Sequence, residues 1–285
     1  MGRLFFARLR QDYFAQCCLL ILLIVLLSGV FAPWLAPFDP NAVDIRAKNQ
    51  IFSTAHWLGT DHLGRDMLSR LIWGIRTTVF YSVLAMAATL FIGVLIGMTA
   101  AIFGGKVDEL LMRLCDMMLS FPGELMILAL VGMLGVGIEH ILLAVIVVKW
   151  AWYARMVRGM TMQYTHKNYV RYAKTVGLSN RYILRRHILP VVTAEIVILG
   201  SADIGSVILL ISGLSFLGLG VQAPVAEWGA MLSDAKNVML LYPQQMLPAG
   251  VAIVLVVAAF NGVGDFLRDV LDPDNRLSDA NGEQP

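Results

Sequence analysis

Apolar residues along this chain come in long runs separated by short polar punctuation. No charged residue stands between Asp12 and Asp39, between Arg76 and Lys106, or between Lys236 and Asp265. Each run exceeds the roughly 20 helical residues that cross a hydrocarbon core of about 30 Å. Three further apolar stretches, at about 117–138, 141–157 and 191–219, carry isolated charges that include Glu124, Lys149, Glu195 and Asp203. The pattern predicts an all-α polytopic membrane protein with six transmembrane helices.

Composition agrees, with 58% hydrophobic and 15% charged residues over 285 positions. A net charge of +2 gives no broad basic field, so nucleic acid is not an expected partner; the lipid bilayer is. The first run is too long, and too poorly followed by small residues, for a removed signal peptide. Cys17, Cys18 and Cys115 do not form a disulfide pattern: two are neighbours on one helix, about 100° apart, and all three read as apolar bundle positions.

Placing the N-terminus inside puts fifteen Lys/Arg on the cytoplasmic side and six on the other, so both termini are expected in the cytoplasm. The resulting organisation is a cytoplasmic N-terminus (1–12), a first transmembrane helix (13–36), a periplasmic segment (37–77), a core transmembrane domain (78–271) and a cytoplasmic tail (272–285). In the periplasmic segment, Leu63, Met67, Leu68, Leu71 and Ile75 share one helical face. That spacing predicts an amphipathic helix on the bilayer surface or under a docked partner, with a plain re-entry connection as the alternative. Gly93 and Gly97 have the spacing that lets helix backbones approach, most simply inside the bundle.

The loop at 160–190, between the fourth and fifth spans, is the densest chemistry. From Trp150 to Pro190 the chain carries Arg155, Arg158, Lys167, Arg171, Lys174, Arg181, Arg185 and Arg186 and no acid. Tyr169, Tyr172, Ala173 and Val176 fall at helical spacing, Gly177 suits a helix end, and Ser179 can cap a second short helix that Pro190 closes. Two short helices around a glycine corner make a protrusion able to enter a cleft on another protein.

This loop resembles the cytoplasmic "EAA" loop of ABC-importer permeases, whose pattern is E-A-A, three residues, Gly, nine residues, I-x-L-P. Ala173, Gly177, Leu189 and Pro190 match it, while Arg171, Tyr172 and His187 stand where the pattern has Glu, Ala and Ile. HWLGTDHLGRDMLSRL, FGGKVDELLMRLCDMMLSFP, LSFLGLGVQAPVAEWGAML and AFNGVGDFLRDVLDP resemble the second permease of dipeptide, oligopeptide and nickel importers over nearly the whole chain. WAWYARMVR and APVAEWG look most like the nickel-import permease. The resemblance implies a type I importer permease fold in a bacterial inner membrane. It also implies a homologous second permease, two ABC ATPase subunits, a periplasmic substrate-binding protein, and a loop around Tyr169 and Gly177 that couples to the ATPases. Independently, no phosphate-cradling loop is present: Gly105-Lys106 is followed by Val107, and position 100 is not glycine. The chain is therefore expected to be no enzyme and to need no cofactor.

Lys149 and Asp203 both fall near mid-membrane, roughly 13 to 18 Å from the inner face at 1.5 Å per residue. Intramembrane charges cost about 2.5–3.5 kcal/mol each, so the two are expected to meet. The pair could fix packing, or Asp203 could line a path for a divalent cation. Glu139-His140, in a tight outer turn, could receive a metal ion, though a solvated turn explains it as well; no firm metal site is expected. His56 and His62 lie in a segment shared with peptide permeases and do not discriminate. An ion-coupled secondary transporter would call for inverted repeats, and a membrane enzyme for convergent His/Asp/Glu groups at one depth. Neither is visible, leaving nickel, a nickel chelate or a peptide as the cargo.

Overall fold

A computed structural model describes residues 2–165 and 167–271, which form helices joined by turns and irregular segments, with one isolated bridge between Thr60 and Asp66. Helices α1 (Gly2–Leu9), α2 (Tyr13–Val30) and α3 (Ala32–Leu35) are followed by a long irregular segment to Asp66. Then come α4 (Met67–Ile75), α5 (Tyr81–Phe103), α6 (Gly105–Leu119), α7 (Gly123–Leu134) and α8 (Ile138–Thr165). The loop holds α9 (Asn168–Thr175) and α10 (Asn180–Ile183), and α11 (Leu189–Phe216), α12 (Trp228–Lys236) and α13 (Leu247–Leu271) complete the chain. Among the described residues, five continuous helices are long and apolar enough to cross a membrane, and α6 with α7, bent by 79°, makes a sixth if counted as one span.

That bend corrects the third span. It was expected to run unbroken through 117–138, but the helix stops at Leu119 and restarts at Gly123. Pro122 lacks an N–H and disfavours helical backbone at Phe121, so the chain turns there. Alone, α7 is about 18 Å long, short of a bilayer core.

The amphipathic helix is present, but it is shorter than its apolar spacing and leads straight into the next span, as a re-entry connection does. It starts only at Met67, where Asp66 accepts a hydrogen bond from the Ser69 N–H at 2.8 Å, and Leu63 sits in the preceding turn. It then continues through a π-helical turn at Arg76–Phe80 into α5, giving one helix from Met67 to Phe103. Its apolar face is covered: Met67 and Ile75 are buried with Cys18 and Leu22 of α2, Trp228 and Met231 of α12, and Ile253 and Phe260 of α13.

A second core joins α5, α7, α8 and α11 through Met86, Ile127, Val145, Val148, Tyr153 and Ile211. In a lipid-embedded bundle, close contact rather than water exclusion draws helices together. Gly93 and Gly97 supply it within the chain. A Cβ on Gly97 would lie 2.4 Å from the Ala154 carbonyl oxygen, and one on Gly93 would lie 2.6 Å from the Tyr153 Cβ. Cys17, Cys18 and Cys115 are free thiols.

Candidate functional site: a basic loop and an intramembrane ion pair

The loop is built on a small core of its own. Val170, Ala173, Ile183, Ile188 and Val192 are buried against Met98 of α5 and Val157 of α8, so the protrusion is anchored to the span ends. Helix α9 ends in the left-handed turn its sequence suggests. Gly177 has φ +85°, its N–H donates to the Lys174 carbonyl at 3.0 Å, and the Leu178 N–H reaches back to the Ala173 carbonyl at 3.1 Å. This paired closure satisfies two otherwise orphaned carbonyls. Ser179 then accepts the Tyr182 N–H at 3.3 Å and starts the next helix. His187 packs edge-on against Tyr182 and near Tyr169, their ring centres 5.9 and 6.2 Å away. Outward from this frame stand Tyr172, Arg171, Lys174, Val176, Arg185 and Arg186, all exposed.

Pro190 does not close the second helix. Residues 184–188 form a π-helical turn in which the Leu189 N–H bonds the Leu184 carbonyl, and the helix continues as α11. The wider turn takes up the hydrogen bond that Pro190 cannot donate and relieves the clash of its ring. Leu189 packs against the loop core, whereas Pro190 is exposed. The first two loop cations belong structurally to α8: Arg155 pairs with Asp116, and Arg158 with Asp108 at 2.5 Å, so acids on α6 neutralise them. Tyr164 donates to Glu195 at 2.7 Å, joining α8 to α11 beside the loop.

Deeper in the bundle, Lys149 and Asp203 meet, with the Lys149 Nζ 3.0 Å from the Asp203 Oδ2. The same oxygen accepts the Tyr153 hydroxyl, and Ser206 bonds Oδ1. Lys149 also donates to the Ser206 Oγ at 3.3 Å. The pair is not sealed: 24% of the Lys149 side chain and 26% of the Asp203 side chain stay accessible. Both line a cavity of about 260 Å³ with Met118, Phe121, Val148 and Trp152, at the corner where α6 turns into α7.

The opposite end of the bundle holds a network that inspection of the sequence missed. Arg65, 2% exposed, donates to Asp61 at 2.6 Å and to Asp234 of α12 at 2.9 Å. Arg70 reaches the carbonyls of Pro40 and Pro224. Glu227 is fully buried, accepting from Thr78 at 3.0 Å and from the Ala230 N–H at 2.8 Å. Burial pushes the Glu227 carboxyl up from its ordinary value, against the pull of those donors. The local signal for this network is the repeated acid–base spacing in TDHLGRDMLSR.

Within this network Asp61, His62 and Asp234 are, among the described residues, the group of three whose ligand atoms lie within 4.8 Å of one another. Both oxygens of Asp61 already accept hydrogen bonds, and the guanidinium of Arg65 lies between the two aspartates. A divalent cation there would displace a paired guanidinium, so the chemistry favours the ion-pair network over a metal. Glu139, His140 and Asp203 join no such group among the described residues. His140 Nδ1 lies 3.0 Å from the Gly135 carbonyl, which can only accept, so this nitrogen carries a proton and ties the turn.

Comparison with known proteins places this geometry in context. A family described as binding-protein-dependent transport system inner membrane component matches residues 93–277, and one described as the N-terminal TM domain of oligopeptide transport permease C matches residues 1–51. A metal-staphylopine import system permease protein of Staphylococcus aureus is 44% identical over 266 residues, covering 93% of this chain and 92% of its own. A nickel transport system permease protein of Escherichia coli is 37% identical over 265 residues, with coverage of 93% and 96%. A probable D,D-dipeptide transport system permease protein of the same species is 39% identical over 253 residues, with coverage of 89% and 85%.

Proposed function

Because the chain belongs to the inner-membrane components of binding-protein-dependent ABC importers, we propose that it forms half of a translocation pathway for a chelated metal, nickel or a close relative. A homologous permease completes the pathway, two separate ATPase subunits drive it, and a periplasmic binding protein delivers the cargo. Both termini and the loop at 160–190 face the cytoplasm. The observation that carries the reading is the loop's construction: a buried anchor of Val170, Ala173 and Ile188 under an exposed tip of Arg171, Tyr172 and Val176. A helical tip held rigidly to two spans, with aromatic and cationic side chains outward, is what an ATPase cleft requires in order to move those spans. Metal cargo is supported by the 44% identity to the metal-staphylopine permease. The 39% identity to the D,D-dipeptide permease supports a peptide as the second reading.

The test is ATP hydrolysis by the whole complex in lipid, with the cognate binding protein loaded with a nickel chelate or with a dipeptide. Stimulation by the nickel-loaded form alone upholds the metal reading. Stimulation by the peptide-loaded form alone keeps the importer and replaces its cargo. Uptake by a preparation without attached ATPases would overturn the importer reading.

A further inference from the structure

The Lys149–Asp203 pair raises a question that packing alone does not answer: why two charges in the middle of a membrane domain remain partly open. Each keeps about a quarter of its side chain accessible, and Ser206 beside them is exposed. Lipid against such a face would cost about 2.5–3.5 kcal/mol per unshielded charge. A pair meant only to join α8 to α11 would be closed over by neighbouring side chains. Here it opens instead onto the cavity of about 260 Å³ at the Phe121–Pro122 corner.

Of the two charges, Lys149 is the one with a donor to spare. Asp203 is engaged on both oxygens, Oδ2 by Lys149 and Tyr153 and Oδ1 by Ser206. Lys149 has three N–H donors and spends two, on Asp203 and Ser206. The third is left for the cavity. A bare divalent cation entering there meets an ammonium and a carboxylate already covered by donors. An anionic oxygen meets a held cation with a free donor, the stronger class of hydrogen bond.

We propose that Lys149 is a cargo-contacting residue on a pathway-facing seam closed by the second permease, and that it takes a carboxylate of the cargo, with Asp203, Tyr153 and Ser206 positioning it. The inference rests on the importer reading above and narrows it: the cargo crosses as a carboxylate-bearing species, a metal chelate or a peptide, and not as a naked ion.

Two measurements on the assembled complex test this. In a chain with Cys17, Cys18 and Cys115 replaced by serine, Ser206→Cys should react with a membrane-impermeant thiol reagent about tenfold faster than Leu23→Cys on the exposed face of α2, because a thiol in lipid stays protonated and unreached. No reaction in any nucleotide state would overturn the seam. In proteoliposomes given Ni2+ alone, Ni2+–nitrilotriacetate or alanyl-alanine with the binding protein, Lys149→Gln should lower uptake of the carboxylate-bearing probe about tenfold while ATP hydrolysis continues, and Lys149→Arg should retain most of it. The probe that works identifies the source of the carboxylate. Uptake of Ni2+ alone, undiminished in Lys149→Gln, would overturn the proposal. So would equal loss of assembly in Lys149→Gln and Lys149→Arg, the mark of a packing pair. If wild type takes up no probe and shows no stimulated hydrolysis, the importer reading fails instead, and the labelling result still decides the seam.

Discussion

At the end of the bundle that carries Asp61, Arg65 is 2% exposed and donates to two aspartates; at the loop end, Tyr172 is 73% exposed among uncovered cations. Both ends are rich in charge, yet the first buries paired charges within the chain, while the loop leaves a set of cations exposed. Arg65, Arg70, Asp66 and Glu227 are all spent on partners in α4, α12 or the segments beside them. The loop spends only its apolar residues inward and keeps Arg171, Lys174, Arg185 and Arg186 outward. A closed network resists deformation, while an open set of donors is complete only with another protein against it. The contrast separates a fixed frame from a contact surface without reference to any relative.

The comparison breaks most severely at Arg65. Arg65→Ala leaves Asp234 without its cation and Asp61 with only Arg70, 3.7 Å away, and should cost about 3 kcal/mol, as removal of one partner from a buried ion pair does. Thermal unfolding of the detergent-solubilised chain would show it; an unchanged midpoint would mean that the network is not a frame. Next comes Gly177→Val. At φ +85° a side chain costs roughly 1–2 kcal/mol, more when β-branched, and the strain falls on the loop alone. ATPase stimulation should drop while the unfolding midpoint of the bundle stays, and Gly177→Asn should be milder.

Glu227 sharpens the contrast through pH. Its folded carboxyl titrates above the ordinary value of 4.5, so its protonated form is favoured by folding. Below that value both states hold the proton and the contribution is complete. As pH rises toward the raised folded value, the unfolded chain releases its proton first and stability falls. Glu227→Gln should remove this part of the slope, read as the wild-type minus variant difference in unfolding midpoint across pH. Smallest in stability is Tyr172→Ala, expected within about 0.5 kcal/mol as for exposed sites. Its effect should appear instead as weaker co-purification of the ATPases.

How far the sequence carried depended on the range of the interaction. Of the six spans expected from the apolar runs, five are continuous helices among the described residues and the sixth is the bent pair; the glycine corner at Gly177 with the Ser179 cap is local chemistry, readable within ten residues. The meeting of Lys149 and Asp203 could be anticipated because two charges at one depth have few other partners. The bend after Leu119 was legible in principle from Pro122, but the surrounding run stays apolar, and hydropathy does not register direction. The two π-helical turns left no local mark: Arg76–Phe80 hides inside an apolar helix, and Leu184–Ile188 reverses the usual meaning of Pro190. The Arg65 network joins residues 169 positions apart, a pairing that no periodicity announces.

One consequence follows from the absence of a stop at Pro190. From Asn180 to Phe216 the backbone is continuously helical, about 55 Å at 1.5 Å per residue. A tilt of about 5° applied at the exposed loop would therefore sweep the far end through roughly 5 Å, the width of half a helix. Asp203 sits partway along this beam, so a push at the loop arrives beside the cavity as a sideways stroke, geared by nothing more than helix stiffness.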